Sequence, residues 1–213
     1  MHSIQYQNAA SLASERSEFI RKVYMNLALG FAGFIALEAF LVTWQPAVDL
    51  AQRMVSGNNW LIVLLAFMGV SWLANSWAAA GATLGKQYAG FALYIIAEAI
   101  IFLPLIIFAN SFAPDTIPQA GIITAALTAG ISAYAFFSKK DFSFMGSFLT
   151  IASFVALGII ACAVLFGIQL GLWFSAAMIV FAGLVILYQT SVMIRRYRND
   201  QYVAAALGLF AAI

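Results

Sequence analysis

Charge is the scarcest property of this 213-residue chain. Only 8% of its residues are Asp, Glu, Lys or Arg, against about 25% in an average soluble domain. Cysteine and histidine occur once each, as Cys162 and His2. A single cysteine inside an apolar run excludes an intrachain disulfide. A single histidine at the N-terminal edge excludes Ser/His/Asp and Cys/His triads and His-rich metal sites. No G-x-x-x-x-G-K-[ST] loop is present, and no G-x-G-x-x-G follows a strand pattern. The formal net charge of +2 is spread over turns, so no basic face is available for nucleic acid. No enzyme chemistry and no cofactor are expected.

Apolar side chains take the place of charge. Hydrophobic residues make up 64% of the chain, and the mean hydropathy is +0.97. A soluble fold of this length leaves roughly a third of its unfolded surface exposed and could not hide so much apolar material. Runs of about 20 apolar residues between short charged or Pro/Gly-bearing breaks indicate membrane-spanning helices. A barrel would instead show alternating segments of about 10 residues. The predicted class is therefore an all-α polytopic membrane protein, with the lipid bilayer as its first partner.

Residues 1–19 are polar and mixed in charge and read as a soluble tail, with a short surface helix over 11–21; they lack the layout of a signal peptide. Residues 20–213 form one transmembrane domain, with spans expected over 23–44, 60–79, 88–109, 117–138, 144–166, 170–194 and 201–213. Gly81, Gly85 and Lys86 mark a turn, Pro104 a kink in the third span, and Asn110 to Pro118 a loop. The seventh run is still apolar at Ile213, about 13 residues in, or about 20 Å at 1.5 Å per residue. That falls short of the ~30 Å hydrocarbon core, so the natural chain is expected to continue. Nine basic residues (Arg16, Arg21, Lys22, Lys86, Lys139, Lys140, Arg195, Arg196, Arg198) fall on one side and only Arg53 on the other. The positive-inside rule puts the N-terminus in the cytoplasm.

Two turns share a design. Lys139 and Lys140 end one helix, and Asp141 with Ser143 opens the next; Arg195, Arg196 and Arg198 end another, followed by Asn199 and Asp200. Cations suit helix C-termini, and Asp, Asn and Ser suit N-caps. Capping and topology account for these charges; a gate or partner contact is the sharper alternative. Gly121, Ala125, Thr128, Ser132 and Ala135 recur at intervals of three and four and predict a close-packing face in the bundle core. In the final run Ala204, Gly208 and Ala212 lie four apart. They share one face, as in a helix enclosed by others. Gln189 lies near the end of the preceding span, so the centre of the bundle is expected between these two helices.

Glu98 sits in the middle of the third span and Glu38 late in the first. Acids inside a membrane face a cavity, find a partner or carry a proton. A proton- or cation-handling site is the functional reading, and a neutral acid bonded to a neighbouring helix the structural one. A calcium cage needs 6–8 oxygens, which two acids on separate spans do not supply.

Several motifs resemble a known family. Ser132-Ala133-Tyr134, followed by Lys139-Lys140-Asp141-Phe142-Ser143-Phe144-Met145-Gly146-Ser147-Phe148-Leu149, is similar to the fourth-to-fifth-helix signature of the Bax inhibitor family, particularly its bacterial YccA-like branch. Leu187 to Ser191 resembles the family's sixth-helix ending, and Tyr202 with Ala206 to Phe210 the start of its last helix. The resemblance covers 121–213 well; the first three spans match in length and polarity. It implies a seven-helix fold whose last helix is enclosed by the other six. Calcium-leak members carry an acid in each of the last two helices, at positions that fall here on Gln189 and near Ala212. Gln and Ala cannot share a proton, so a leak gated by that pair is not expected. YccA-like members are associated with modulation of a membrane-bound AAA protease. The resemblance thus implies a non-enzymatic protein of the bacterial inner membrane acting through other membrane proteins. The alternative is a pH-sensitive calcium or proton leak through Glu98.

Overall fold

The computed structural model describes residues 2–79, 82–138 and 140–213, with side chains from residue 11 onward. Gly81 and Lys139 lie outside the described residues. Among the described residues there are eight α-helices and no strand. They are α1 (His2–Leu41), α2 (Gln45–Met54), α3 (Asn59–Ala78), α4 (Leu84–Phe112), α5 (Thr116–Phe137), α6 (Gly146–Phe166), α7 (Leu172–Arg196) and α8 (Tyr202–Phe210). A 3₁₀ turn, Ser143–Met145, leads into α6. Six stretches are long and apolar enough to cross a membrane, carried by α1 and α3 to α7; α2 and α8 are shorter. The protein is a multi-pass membrane protein, and its surface is accordingly rich in exposed Leu, Ile, Phe and Trp.

Several expectations need correction. The polar tail is not separate: helix runs unbroken from His2 to Leu41, so the expected surface helix is the first part of α1. No Gly or Pro interrupts the polar-to-apolar transition, and a helix in progress extends at one hydrogen bond per added residue. The break after the first span holds a helix of its own. In α2, Pro46 occupies the first turn, where its missing N–H costs nothing. Ala47, Ala51 and Met54 are spaced four and three apart, and all three are buried; α2 packs on α4. The small-residue face of α5 is only half used. Ser132 and Ala135 are buried, while Gly121 and Ala125 are exposed. Lipid tails are as apolar as a helix flank, so a stripe can face lipid without penalty.

The expected loop over 110–118 contracts to Ala113–Asp115, because α4 runs through Pro104 to Phe112 and α5 opens at Thr116. Two apolar clusters hold the fold. The larger joins Phe19, Val23 and Leu27 of α1, Ala74 and Ala78 of α3, Phe91 and Tyr94 of α4, Met193 of α7 and most of α8. The smaller joins Leu41, Ala47, Ala51, Ala99 and Leu103 where α1, α2 and α4 meet. Gly90 lets α4 lie on α3: a Cβ there would come 2.5 Å from the Ala74 carbonyl oxygen.

Candidate functional site

α8 lies against α1, α3, α4 and α7. Val203, Ala206, Leu207, Leu209 and Phe210 are buried almost completely. The Phe210 ring sits in an aromatic cage, with centroids 4.8 Å from Phe31, 5.7 Å from Phe91, 6.1 Å from Tyr94 and 6.3 Å from Phe34. Three of these four pairs are edge-on, the arrangement the ring quadrupoles favour. The stripe of Ala204, Gly208 and Ala212 is thus not the single close face of α8. Ala212 is buried, but Ala204 and Gly208 are half-buried, because large side chains fill the other sides of the helix.

Gly208 does meet Gln189. A Cβ at Gly208 would lie 3.4 Å from Gln189 Oε1 and 3.7 Å from the Tyr197 hydroxyl. The structure therefore brings the end of α7 and the middle of α8 together around one amide. Burial pushes the Tyr197 phenol above its ordinary pKa. Next to Gln189, Thr190 is fully buried and its hydroxyl has no hydrogen-bond partner.

The turns at the basic end form a connected network. Ser191 Oγ accepts the Phe142 N–H at 3.0 Å and donates to Asp141 Oδ1 at 3.4 Å. Arg195 donates from Nη2 to the Lys140 carbonyl at 2.9 Å, and its Nε lies 4.0 Å from Asp141. Arg196 donates to Ser143 Oγ at 2.7 Å. Arg198 pairs with Asp200 at 3.2 Å. Capping differs from expectation. Asp141 Oδ1 accepts the Ser143 N–H at 2.8 Å, which closes the 3₁₀ turn rather than the start of α6. This bond to the ionised form, helped by Arg195 and Arg196, holds the Asp141 carboxyl below its usual range. Asn199 and Asp200 do not cap α8, whose N-cap is Gln201. The backbone stays extended at Tyr197; Asn199 faces Arg16 instead, and Asp200 faces Arg198.

Arg16 and Ser191 were not singled out by sequence reasoning as site residues. Arg16 projects from α1 onto the α7–α8 turn. Its guanidinium donates to the carbonyls of Ile194 (2.6 Å), Met193 (2.7 Å) and Tyr197 (2.9 Å) and to Asn199 Oδ1 (3.0 Å). It also lies 4.3 Å from the Phe19 ring centroid. These are the carbonyls that the end of α7 leaves unpaired, and a planar five-donor cation suits them. The sequence signal for Ser191 was its place in the Leu187 to Ser191 motif.

The two intramembrane acids are carried by α1 and α4. Glu38 is 6% exposed, and both carboxylate oxygens are buried without a hydrogen-bond partner. Glu98 is half-buried; its Oε2 has no partner, and Tyr94, one turn earlier, is its polar neighbour. Among the described residues no group of three His, Cys, Asp or Glu side chains could hold a metal ion.

A helical multi-pass membrane protein with a short apolar helix walled in by longer ones is the class this geometry defines. The chain belongs to the Bax inhibitor family: the family profile described as inhibitor of apoptosis-promoting Bax1 matches residues 16–213. An uncharacterized protein of Pseudomonas aeruginosa is 28% identical over 225 residues, covering 100% of this chain and 92% of the relative. Protein LIFEGUARD 4 of Arabidopsis thaliana is 26% identical over 202 residues, covering 92% and 79%. The Golgi anti-apoptotic protein of Vaccinia virus is 27% identical over 213 residues, covering 93% and 81%. No solved structure matches the chain.

Proposed function

We propose that this chain works without catalytic chemistry, through contacts with other membrane proteins in a bacterial inner membrane. Modulation of a membrane-bound AAA protease, as in YccA-like members, is the specific form of that reading. The observation that carries it is the junction of α7 and α8. Gln189 faces Gly208, and Ala212 is buried, where leak-type members have two acids. An amide and small residues give packing, not a titrating pair. The similarity to the Pseudomonas protein supports the bacterial setting, and the basic turns support a cytoplasmic N-terminus. The test is co-purification from native membranes in mild detergent. The proposal expects a membrane protease or another large complex to come with the chain; a chain that emerges alone under every condition defeats it.

A second reading has its own observation. Glu38 and Glu98 keep buried carboxylate oxygens with no partner, as a proton- or calcium-handling leak would need. In proteoliposomes this reading expects a pH-dependent flux that Glu98→Gln abolishes and Glu38→Gln weakens. Absence of flux at every pH removes it.

A further inference from the structure

Two open grooves along the α6–α7 seam meet at Ile151. The first, about 650 Å³, opens at the basic end and is mixed: Ser143, Ser147, Thr150 and Tyr188 line it together with Phe144 and Ile151. Arg196 stands at its rim, held by the 2.7 Å bond to Ser143 Oγ. The second, about 400 Å³, continues toward the other end and is apolar, lined by Phe148, Val155 and Ile159 of α6 and by Phe174, Met178 and Phe181 of α7. From Phe148 to Ile159 the groove follows twelve residues of α6, a rise of about 16 Å at 1.5 Å per residue. That is about half of the ~30 Å hydrocarbon core, the depth of one leaflet.

The geometry points to a binding site for one anionic phospholipid of the leaflet at the basic end. Its phosphate lies in the mouth beside Arg196, and one acyl chain runs down the α6–α7 cleft. The charge is complementary: one of the five guanidinium donors of Arg196 is used on Ser143, and the planar fork suits a phosphate. The cleft adds what a free phosphate site would lack, an apolar slot of leaflet length. Gly146 gives Tyr188 room at the mouth, because a Cβ there would lie 2.9 Å from the Tyr188 hydroxyl and push the ring aside. The site does not depend on the reading of α7 and α8 given above.

Native mass spectrometry of the full chain, released from nanodiscs holding equal phosphatidylglycerol and phosphatidylcholine, tests this. One phosphatidylglycerol per chain should survive, enriched about tenfold over phosphatidylcholine, as for a charge-assisted contact. Arg196→Gln should remove that enrichment, while Arg198→Gln, whose side chain pairs with Asp200, should leave it intact. Ala156→Trp fills the apolar cleft and should lower retention of both lipids. With the unmodified chain, dihexanoyl phosphatidylglycerol should be retained far less than the long-chain lipid, a comparison that needs no variant to fold. Equal retention of the two headgroups, enrichment that persists in Arg196→Gln, or inorganic phosphate competing as well as the long-chain lipid would each overturn the assignment.

Discussion

Six of the nine residues of α8 are buried, whereas α6 buries two of its twenty-one. Both helices are strongly apolar, so hydrophobicity does not separate them. Within lipid, transfer from water no longer sorts side chains, and close packing decides what is enclosed. α8 is enclosed because aromatic rings from α1 and α4 close on Phe210 and because Arg16 pins the turn before it. α6 touches α7 and α3 only lightly and offers the rest of its surface to lipid.

The contrast can be broken most directly at Phe210. Phe210→Ala should lower stability by about 3 kcal/mol, the low end for a buried Phe, since lipid removes part of the transfer term. Phe154→Ala on α6, where the side chain is 67% exposed, should stay within about 0.5 kcal/mol. Thermal unfolding in detergent, followed by tryptophan fluorescence, measures both; equal losses would erase the distinction between the helices. Next comes Arg16. Arg16→Ala leaves the carbonyls at the end of α7 unpaired and should cost about 2 kcal/mol, with faster hydrogen exchange at the amides of the α7–α8 turn. Unchanged exchange there would mean that the clasp does not restrain α8.

Glycines sharpen the comparison by sign. Gly90→Ala forces a Cβ against the α3 backbone and should destabilise by about 1–2 kcal/mol. Gly158→Ala on α6, where nothing lies within 4 Å, should be neutral or stabilise by up to about 1 kcal/mol through helix propensity. The same melting assay reads both, and two losses of equal size would contradict the packing described. The smallest effect is that of pH at Asp141. Its carboxyl titrates below the ordinary value of 3.8. The stabilisation it provides is therefore complete above that value and fades as pH falls through its lower folded value. Melting curves of the wild type and Asp141→Asn should differ slightly at neutral pH and converge in strong acid; a gap that widens on acidification would reverse the assignment.

The long helices were readable because composition alone decides which stretches can cross a membrane. Their expected limits at 60–79 and 117–138 lie one residue from α3 and α5. The position of α8 was readable from Ala204, Gly208 and Ala212, but not which of its sides pack tightest. Small residues announce close approach, whereas Phe210 packs through rings from elsewhere in the chain. In the sequence Arg16 is no more than a topology charge, because its neighbours are polar and its partners lie 177–183 residues away. The short α2 was hidden because ten mixed residues give too weak a period for a helix to stand out from a turn. The two acids are legible as oddities, but that both Glu38 oxygens are unpaired follows only from the packing around them.

The place of α8 in the chain sets an order of events during synthesis. A ribosome delivers residues from the N-terminus onward, so α1, α3, α4 and α7 are all made before the segment they surround exists. Until Tyr202–Phe210 arrives, Phe31, Phe91 and Tyr94 lack the Phe210 ring on which they converge. Arg16, made first, must wait for the carbonyls of Met193 and Ile194. The protein is in effect a vault whose keystone is cut after its walls. A ribosome stalled shortly before α8 would leave a hollow assembly, correctly inserted but open at its centre.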